Sequence, residues 1–425
     1  MKKSQVFIDS MAFKGYGVAR MDGKVVFIPF SMVGDKAKIE IIREKKDYAI
    51  GKLDQLIESS PWRVDPPCPS FGQCGGCQWQ HIDDSIQGEF KGRILKEILK
   101  KLGKLRNVPS IQVFSSSEPY RYRTRIQLRV KGNSVGYFQE KTHHLVDIDH
   151  CPISHPLINQ IIRFIRQALP SFSQVREIGI NVSPEEGKGV LIIHSHFFDS
   201  RLKNFLKEWL RACSLLKGLV IEKKGGVTLF GDPHLNFTIP LNQHKTITHL
   251  KLRTSSDSFF QVNLKQNQTL IQTVLRFSET NPEERILDLY AGVGNLTFPS
   301  AMGAKEAVGI EENRIAVEDA QLNAKRNGIK NCSFLHGRVE DVLKHLERGN
   351  PDLIVLDPPR KGCKTVLDQF IRLKPKKMVY VSCEPTTFAR DLHLLSERGY
   401  HLQRLALIDM FPQTYHMEVV GLLTH

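Results

Sequence analysis

The stretch Arg285-Ile-Leu-Asp288-Leu-Tyr290-Ala-Gly292-Val-Gly294-Asn295-Leu-Thr297 decides the fold. Its first half is a short apolar run with an acid near the end; its second half is a glycine loop. Glycines after a first parallel strand let the backbone approach a ligand, and the helix that follows offers its N-terminus. The spacing is not the G-x-G-x-x-G of dinucleotide binding. The next apolar run, Ala307-Val-Gly-Ile-Glu311, ends in an acid 19 residues after Gly292, where a carboxylate can accept from both hydroxyls of a ribose. Asp288, the loop and Glu311 fit S-adenosylmethionine at least as well as a nicotinamide cofactor.

Outward from this stretch, strands alternate with helices from about residue 251 to the end. That pattern predicts an α/β fold, a doubly wound Rossmann-like sheet over 251–425. The run Leu353-Ile-Val-Leu356 delivers Asp357-Pro-Pro-Arg360. Methyltransferases carry an acid or amide followed by two prolines at this fourth-strand position, and the prolines stiffen the turn. Versions that methylate amines end in an aromatic residue, so the arginine points to another acceptor atom. Met378-Val-Tyr-Val-Ser-Cys383-Glu384-Pro385 reads as a buried strand running into a turn. A thiol there is either a nucleophile presented by a rigid sheet or an inert buried cysteine. Near the C-terminus, Asp409-Met-Phe-Pro-Gln-Thr-Tyr-His416-Met-Glu418 adds one more acid.

Towards the N-terminus, residues 111–250 predict a mixed, mostly β domain. Within it Tyr120-Arg-Tyr-Arg-Thr-Arg-Ile-Gln-Leu-Arg-Val-Lys131 alternates cationic and apolar positions. On a strand this places Arg121, Arg123, Arg125 and Arg129 on one face, roughly 7 Å apart and without an acid among them. Such a strip calls for a phosphate backbone over it, the alternative being a charged edge strand that discourages aggregation. Residues 59–110 hold Cys68, Cys74 and Cys77, separated by five and two residues, and then a helix over 85–105. Cys151 supplies a fourth thiol, and zinc and an iron–sulfur cluster both suit four thiolates. Residues 1–58 predict a small β-barrel with glycine turns. Phe13-Lys-Gly-Tyr-Gly-Val-Ala-Arg20 with the following Phe-Ile-Pro strand resembles the TRAM module, an oligonucleotide-binding-like barrel of RNA-modifying enzymes, which implies RNA contact. The net charge of +15 favours a polyanionic partner. No run of 18 apolar residues is present, and the N-terminal lysines lack a following apolar core. A cytoplasmic monomer that does not enter a membrane is expected.

Taken together, Phe260-Gln261-Val-Asn263, Asp288 to Asn295, Asp357-Pro-Pro-Arg360, Ser382-Cys383-Glu384-Pro385 and Phe411-Pro-Gln-Thr-Tyr-His-Met-Glu418 resemble the RNA uridine carbon-5 methyltransferase family over nearly the whole chain. The resemblance implies that Cys383 adds to carbon 6 of a uracil and that Glu418 later removes the carbon-5 proton. It implies that Gln261, Tyr290, Asn295, Glu311 and Asp357 contact S-adenosylmethionine, and that Cys68, Cys74, Cys77 and Cys151 hold a 4Fe-4S cluster. The barrel and cysteine site resemble the ribosomal-RNA branch, the transfer-RNA enzyme being expected to lack both, so 23S rRNA is the expected partner. The alternatives are a tRNA substrate or a non-catalytic RNA-binding protein, which Cys383 and Glu418 together argue against. Where the family carries asparagine this chain has Glu384, whose charge is expected to oppose ionisation of the thiol beside it.

Overall fold

A computed structural model describes residues 3–168, 175–195, 199–223, 226–241, 248–346 and 350–425. The alternating segments at the N-terminus form six strands between Lys3 and Glu58. They make one curled sheet in the order first, fifth, sixth, fourth, third, second. Val6, Ile8, Ala19, Val26, Ile28 and Ile39 are buried inside the curl.

The central sheet has seven strands, and those at Arg125–Lys131, Val175–Ser183, Lys188–Ser195 and Leu216–Lys223 are consecutive neighbours in it. Helices Pro156–Ala168 and Ser200–Ala212 cover one face. Ile158, Ile161, Ile162 and Ile165 recur at helical spacing and pack with Ile126, Leu128, Ile178 and Ile180 of the sheet. The opposite face carries Arg125 and Gln127 and looks towards the C-terminal half.

That half is an eight-stranded sheet. Cys332–His336, Glu306–Glu311, Arg285–Leu289, Leu353–Leu356 and Lys377–Ser382 run parallel in this spatial order. Glu418–Thr424 then enters antiparallel beside Lys377–Ser382, followed by His401–Ile408. The α/β expectation holds. One boundary moves: Ile111–Phe114, placed by sequence at the start of the central domain, pairs in parallel with Leu405–Ile408 as the edge of this sheet. The helix Asp84–Lys101 likewise buries Phe90, Ile94, Leu95 and Leu99 in the core that contains Leu392, Leu395 and Leu407. No helix among the described residues is long and apolar enough to cross a membrane.

Candidate active site and cysteine cavity

The strand Arg285–Leu289 ends against a loop that could not be built without its glycines. Tyr290 turns left-handed (φ 67°), followed by Gly292 (54°) and Gly294 (91°). A Cβ on Gly294 would meet the Phe298 ring at 2.2 Å, whereas one on Gly292 would meet nothing, because that residue faces a pocket. The pocket lies at the carboxyl ends of the parallel strands, where ligands bind in such sheets, and is lined by Gln261, Asp288, Tyr290, Asn295 and Asp357. Glu311 stands behind the loop rather than on the wall. Its two oxygens accept from the Gly292 and Asn313 amides at 2.9 and 2.7 Å. Asn295 is held by a reciprocal amide pair with Asn267, both bonds 2.9 Å. Burial pushes Asp288 up to about 7; the Thr297 hydroxyl opposes this, and Asp357 and Glu311 add to it.

Across the pocket, Lys377 pairs with Thr424 and Ser382 with Val419. That register ends at Ser382 and Val419, so Cys383 and Glu418 are the residues just beyond it at adjoining strand ends. Glu418 is 2% exposed, and its Oε1 has no hydrogen-bond partner. Burial holds the Cys383 thiol up at about 12, with Glu418 and Asp357 adding to the effect and Arg360 opposing it. Burial and then Asp357 push Glu418 well above the usual carboxylate range, again against Arg360. Three acids thus lie close enough to raise one another, and the Arg360 guanidinium opposes them.

Glu384 behaves differently from expectation. It stands at the N-cap position of the helix Pro385–Ser396 without a side-chain bond to the helix amides, and its carboxylate accepts from the Thr386 hydroxyl at 2.6 Å. A negative charge at a helix N-terminus is favourable, and the groups that raise the thiol are Glu418 and Asp357. His416 is half-buried between the Phe411 and Tyr415 rings. Burial, then Arg360, Lys91 and Arg123, push it down to about 3, which leaves it neutral.

Cys68, Cys74, Cys77 and Cys151 line a single cavity with Gln80, Arg123 and Tyr137. The Gly75 amide donates to Phe138 O at 3.1 Å and docks the cysteine segment on the central sheet. Cys151 is fixed by Asn159, which bonds both its amide and its carbonyl. Among the described residues no three His, Cys, Asp or Glu side chains are grouped tightly enough to hold a metal ion. Burial raises Cys74 to about 11 and Cys77 to about 12, so thiolates here require a cation among them. Four soft donors around one space suit a soft metal.

Comparison with known proteins places these features. The family model described as tRNA (Uracil-5-)-methyltransferase matches residues 87–425. The chain belongs to this family. It is an S-adenosylmethionine-dependent RNA uracil-5-methyltransferase. A second family model, the TRAM domain of tRNA (uracil(54)-C(5))-methyltransferase, matches residues 5–62. An RNA methyltransferase of Aquifex aeolicus is 36% identical, over 99% of this chain and 98% of its own length. The 23S rRNA (uracil(1939)-C(5))-methyltransferase of Pectobacterium atrosepticum is 33% identical over 100% of this chain and 94% of its own. The crystal structure of Pyrococcus abyssi tRNA (uracil-54, C5)-methyltransferase with S-adenosyl-L-homocysteine has a TM-score of 0.77 and 25% identity, covering 99% of this chain and 100% of that one. Because the matching TRAM model is that of a tRNA enzyme, the barrel does not separate the ribosomal from the transfer branch, as the resemblance had implied.

Within this methyltransferase the arginine strip is shorter than its sequence pattern. Arg121 adopts φ 59°, so the strand begins only at Arg125. Arg123 and Arg125 line a groove on the open face of the central sheet, together with Gln127, His194 and Glu222. Arg129 is not part of a bare cationic row, because Glu177 on the neighbouring strand pairs with it. Alternation located the face correctly, but it carried no information about the acid across the ladder. Asn267 was missed as well. Its signal was the helical interval of four from Asn263, the N-cap of the same helix.

Proposed function

We propose that this enzyme methylates carbon 5 of a uridine in 23S rRNA through a covalent adduct with Cys383. The observation that carries the reading is that Cys383 and Glu418 follow directly on the paired strand ends Ser382 and Val419, near enough that Glu418 and Asp357 both raise the thiol, while Asp357 also lines the glycine-loop pocket. S-adenosylmethionine would supply the methyl group, and Gln261, Tyr290, Asn295 and Asp357, which line the pocket, would hold it, while Glu311 fixes the loop from behind. Carbon 5 of uracil is a weak nucleophile. The Cys383 sulfur, having lost its proton, bonds to carbon 6, and the displaced π pair makes an enolate reactive at carbon 5. After methylation the Glu418 carboxylate takes the carbon-5 proton, the double bond re-forms, and the carbon–sulfur bond breaks to return the thiolate. Arg360 offsets whichever of the three acids is ionised. Arg121, Arg123 and Arg125 are proposed to bind RNA, Arg123 and Arg125 foremost because they line the groove, while Arg129, paired with Glu177, contributes little.

The four cysteines are proposed to hold a 4Fe-4S cluster, as the family resemblance implies, zinc being the alternative that four thiolates suit equally. Equal amounts of iron and sulfide after anaerobic purification are expected; one zinc per chain would overturn the assignment. The 33% identity to a 23S rRNA enzyme over the full chain supports the ribosomal substrate. A tRNA substrate is the second reading, favoured by the barrel's match and the fold neighbour. Labelled methyl transfer to 23S rRNA and tRNA, assayed side by side, decides between them. Glu418→Gln should leave a denaturant-stable enzyme–RNA adduct and slow turnover by about 10²–10⁴-fold; unaltered turnover without adduct sinks the mechanism.

A further inference from the structure

The connection from Asp409 to Met417, which leads from the strand His401–Ile408 to Glu418, is a loop largely withdrawn from the surface, with only Phe411, Tyr415 and His416 partly exposed. Asp409, Met410, Gln413, Thr414 and Met417 are all 3% exposed or less. Loops usually run over the surface because their backbone polar groups need water. Here the protein supplies the partners instead, and they come from separate parts of the chain. Met410 O accepts from Asn263 Nδ2 at 3.3 Å. Phe411 O accepts from Lys91 Nζ at 3.1 Å. Pro412 O accepts from the Tyr122 hydroxyl at 3.1 Å. Gln413 O accepts from the amides of Gln78 and Trp79 at 3.1 and 3.0 Å.

Four consecutive carbonyls are therefore capped by the helix behind the cofactor-type pocket, the helix Asp84–Lys101, the central domain and the cysteine segment. Two further contacts lock the same loop. Lys91, fully buried, bonds Asp409 at 2.6 Å. Gln87 bonds Gln413 through both ends of its amide, at 3.0 and 2.9 Å. Gln413 itself is left-handed, with φ 67°, a conformation that persists only where its surroundings over-determine it.

We propose that Lys91 and Tyr122 are positioning residues for Glu418: through the 411 and 412 carbonyls they hold the loop that aims its carboxylate at the carbon-5 proton. The inference rests on the role given to Glu418 above. It predicts an effect confined to one half of the reaction. Cys383 belongs to a different strand end and feels the loop only through the charge of Glu418, so adduct release should suffer far more than adduct formation.

The test measures formation and release of the enzyme–RNA adduct on denaturing gels, with thermal midpoints taken alongside. Tyr122→Phe deletes a single hydroxyl; Lys91→Met/Asp409→Leu removes the buried ion pair without leaving a charge unpaired. Glu418→Gln is the control. The expected result is a steady-state adduct, as in the control, with release slowed at least tenfold and formation within twofold of the parent in Tyr122→Phe. Equal loss of formation and release, or unchanged release in both variants, would overturn the positioning role. Absence of adduct in Glu418→Gln would instead overturn the proton-abstraction reading on which it rests.

Discussion

Cys383, Glu418 and Asp357 compete for one negative charge, and that competition has a measurable sign. Burial and two carboxylates raise the thiol to about 12, and only the thiolate is alkylated. Iodoacetamide labelling of Cys383 in the free enzyme should therefore climb about tenfold per pH unit, without a plateau at the ordinary thiol value near 8.5. Glu418→Gln removes a charge that raises the thiol and should bring the rise to lower pH; Arg360→Gln removes the opposing cation and should move it higher. Glu384→Asn should leave the profile unchanged, because its carboxylate is bound to the Thr386 hydroxyl and the groups that raise the thiol are Glu418 and Asp357. A shift as large as that of Glu418→Gln would return Glu384 to the thiol's environment. Cys383 and Glu418, the proposed nucleophile and base, stood out in the sequence because each sits in a motif with a chemical rationale. Glu384 did not, because its meaning depends on a helix beginning at the residue after it. Pro385 at the first helical position was the available signal.

The glycine loop and the arginine strand show where pattern reading succeeds and stops at the level of elements. The loop was readable because tight turns need specific residues. Gly294→Ala must strain a backbone at φ 91° and push a methyl into Phe298, at a cost of roughly 1–3 kcal/mol for the backbone alone. Calorimetry should show S-adenosylhomocysteine affinity falling about tenfold or more; unchanged affinity would mean the loop does not form the cofactor pocket. The arginine strand was half readable. Period-two alternation predicts faces but cannot see the left-handed turn at Arg121 or the cross-strand Glu177. Arg125→Ala should reduce the slope of log affinity against log salt by about 1, while Arg129→Ala, already neutralised by Glu177, should leave it nearly unchanged. Equal slopes for the two variants would restore the uniform strip.

At the scale of the whole molecule, the expected division into consecutive blocks gave way because pairing between distant segments leaves no periodic mark in either one. Neither Ile111–Phe114 nor Leu405–Ile408 announces the other, yet they lie side by side, almost 300 residues apart in the chain. Contacts of such sequence separation form late, since the loop must close before they contribute. The N-terminal partner is synthesised early and then waits, with the apolar Ile111, Val113 and Phe114 unpaired, until nearly the whole polypeptide has left the ribosome. A chain ending at residue 400 should accordingly lose more than Glu418: with the strand edge open it should associate, seen as early elution and light scattering, whereas full-length Glu418→Gln stays dispersed. The methyltransferase sheet is thus sealed last and from both ends, so a nascent chain cut short carries neither Glu418 nor the strand that would have covered its edge.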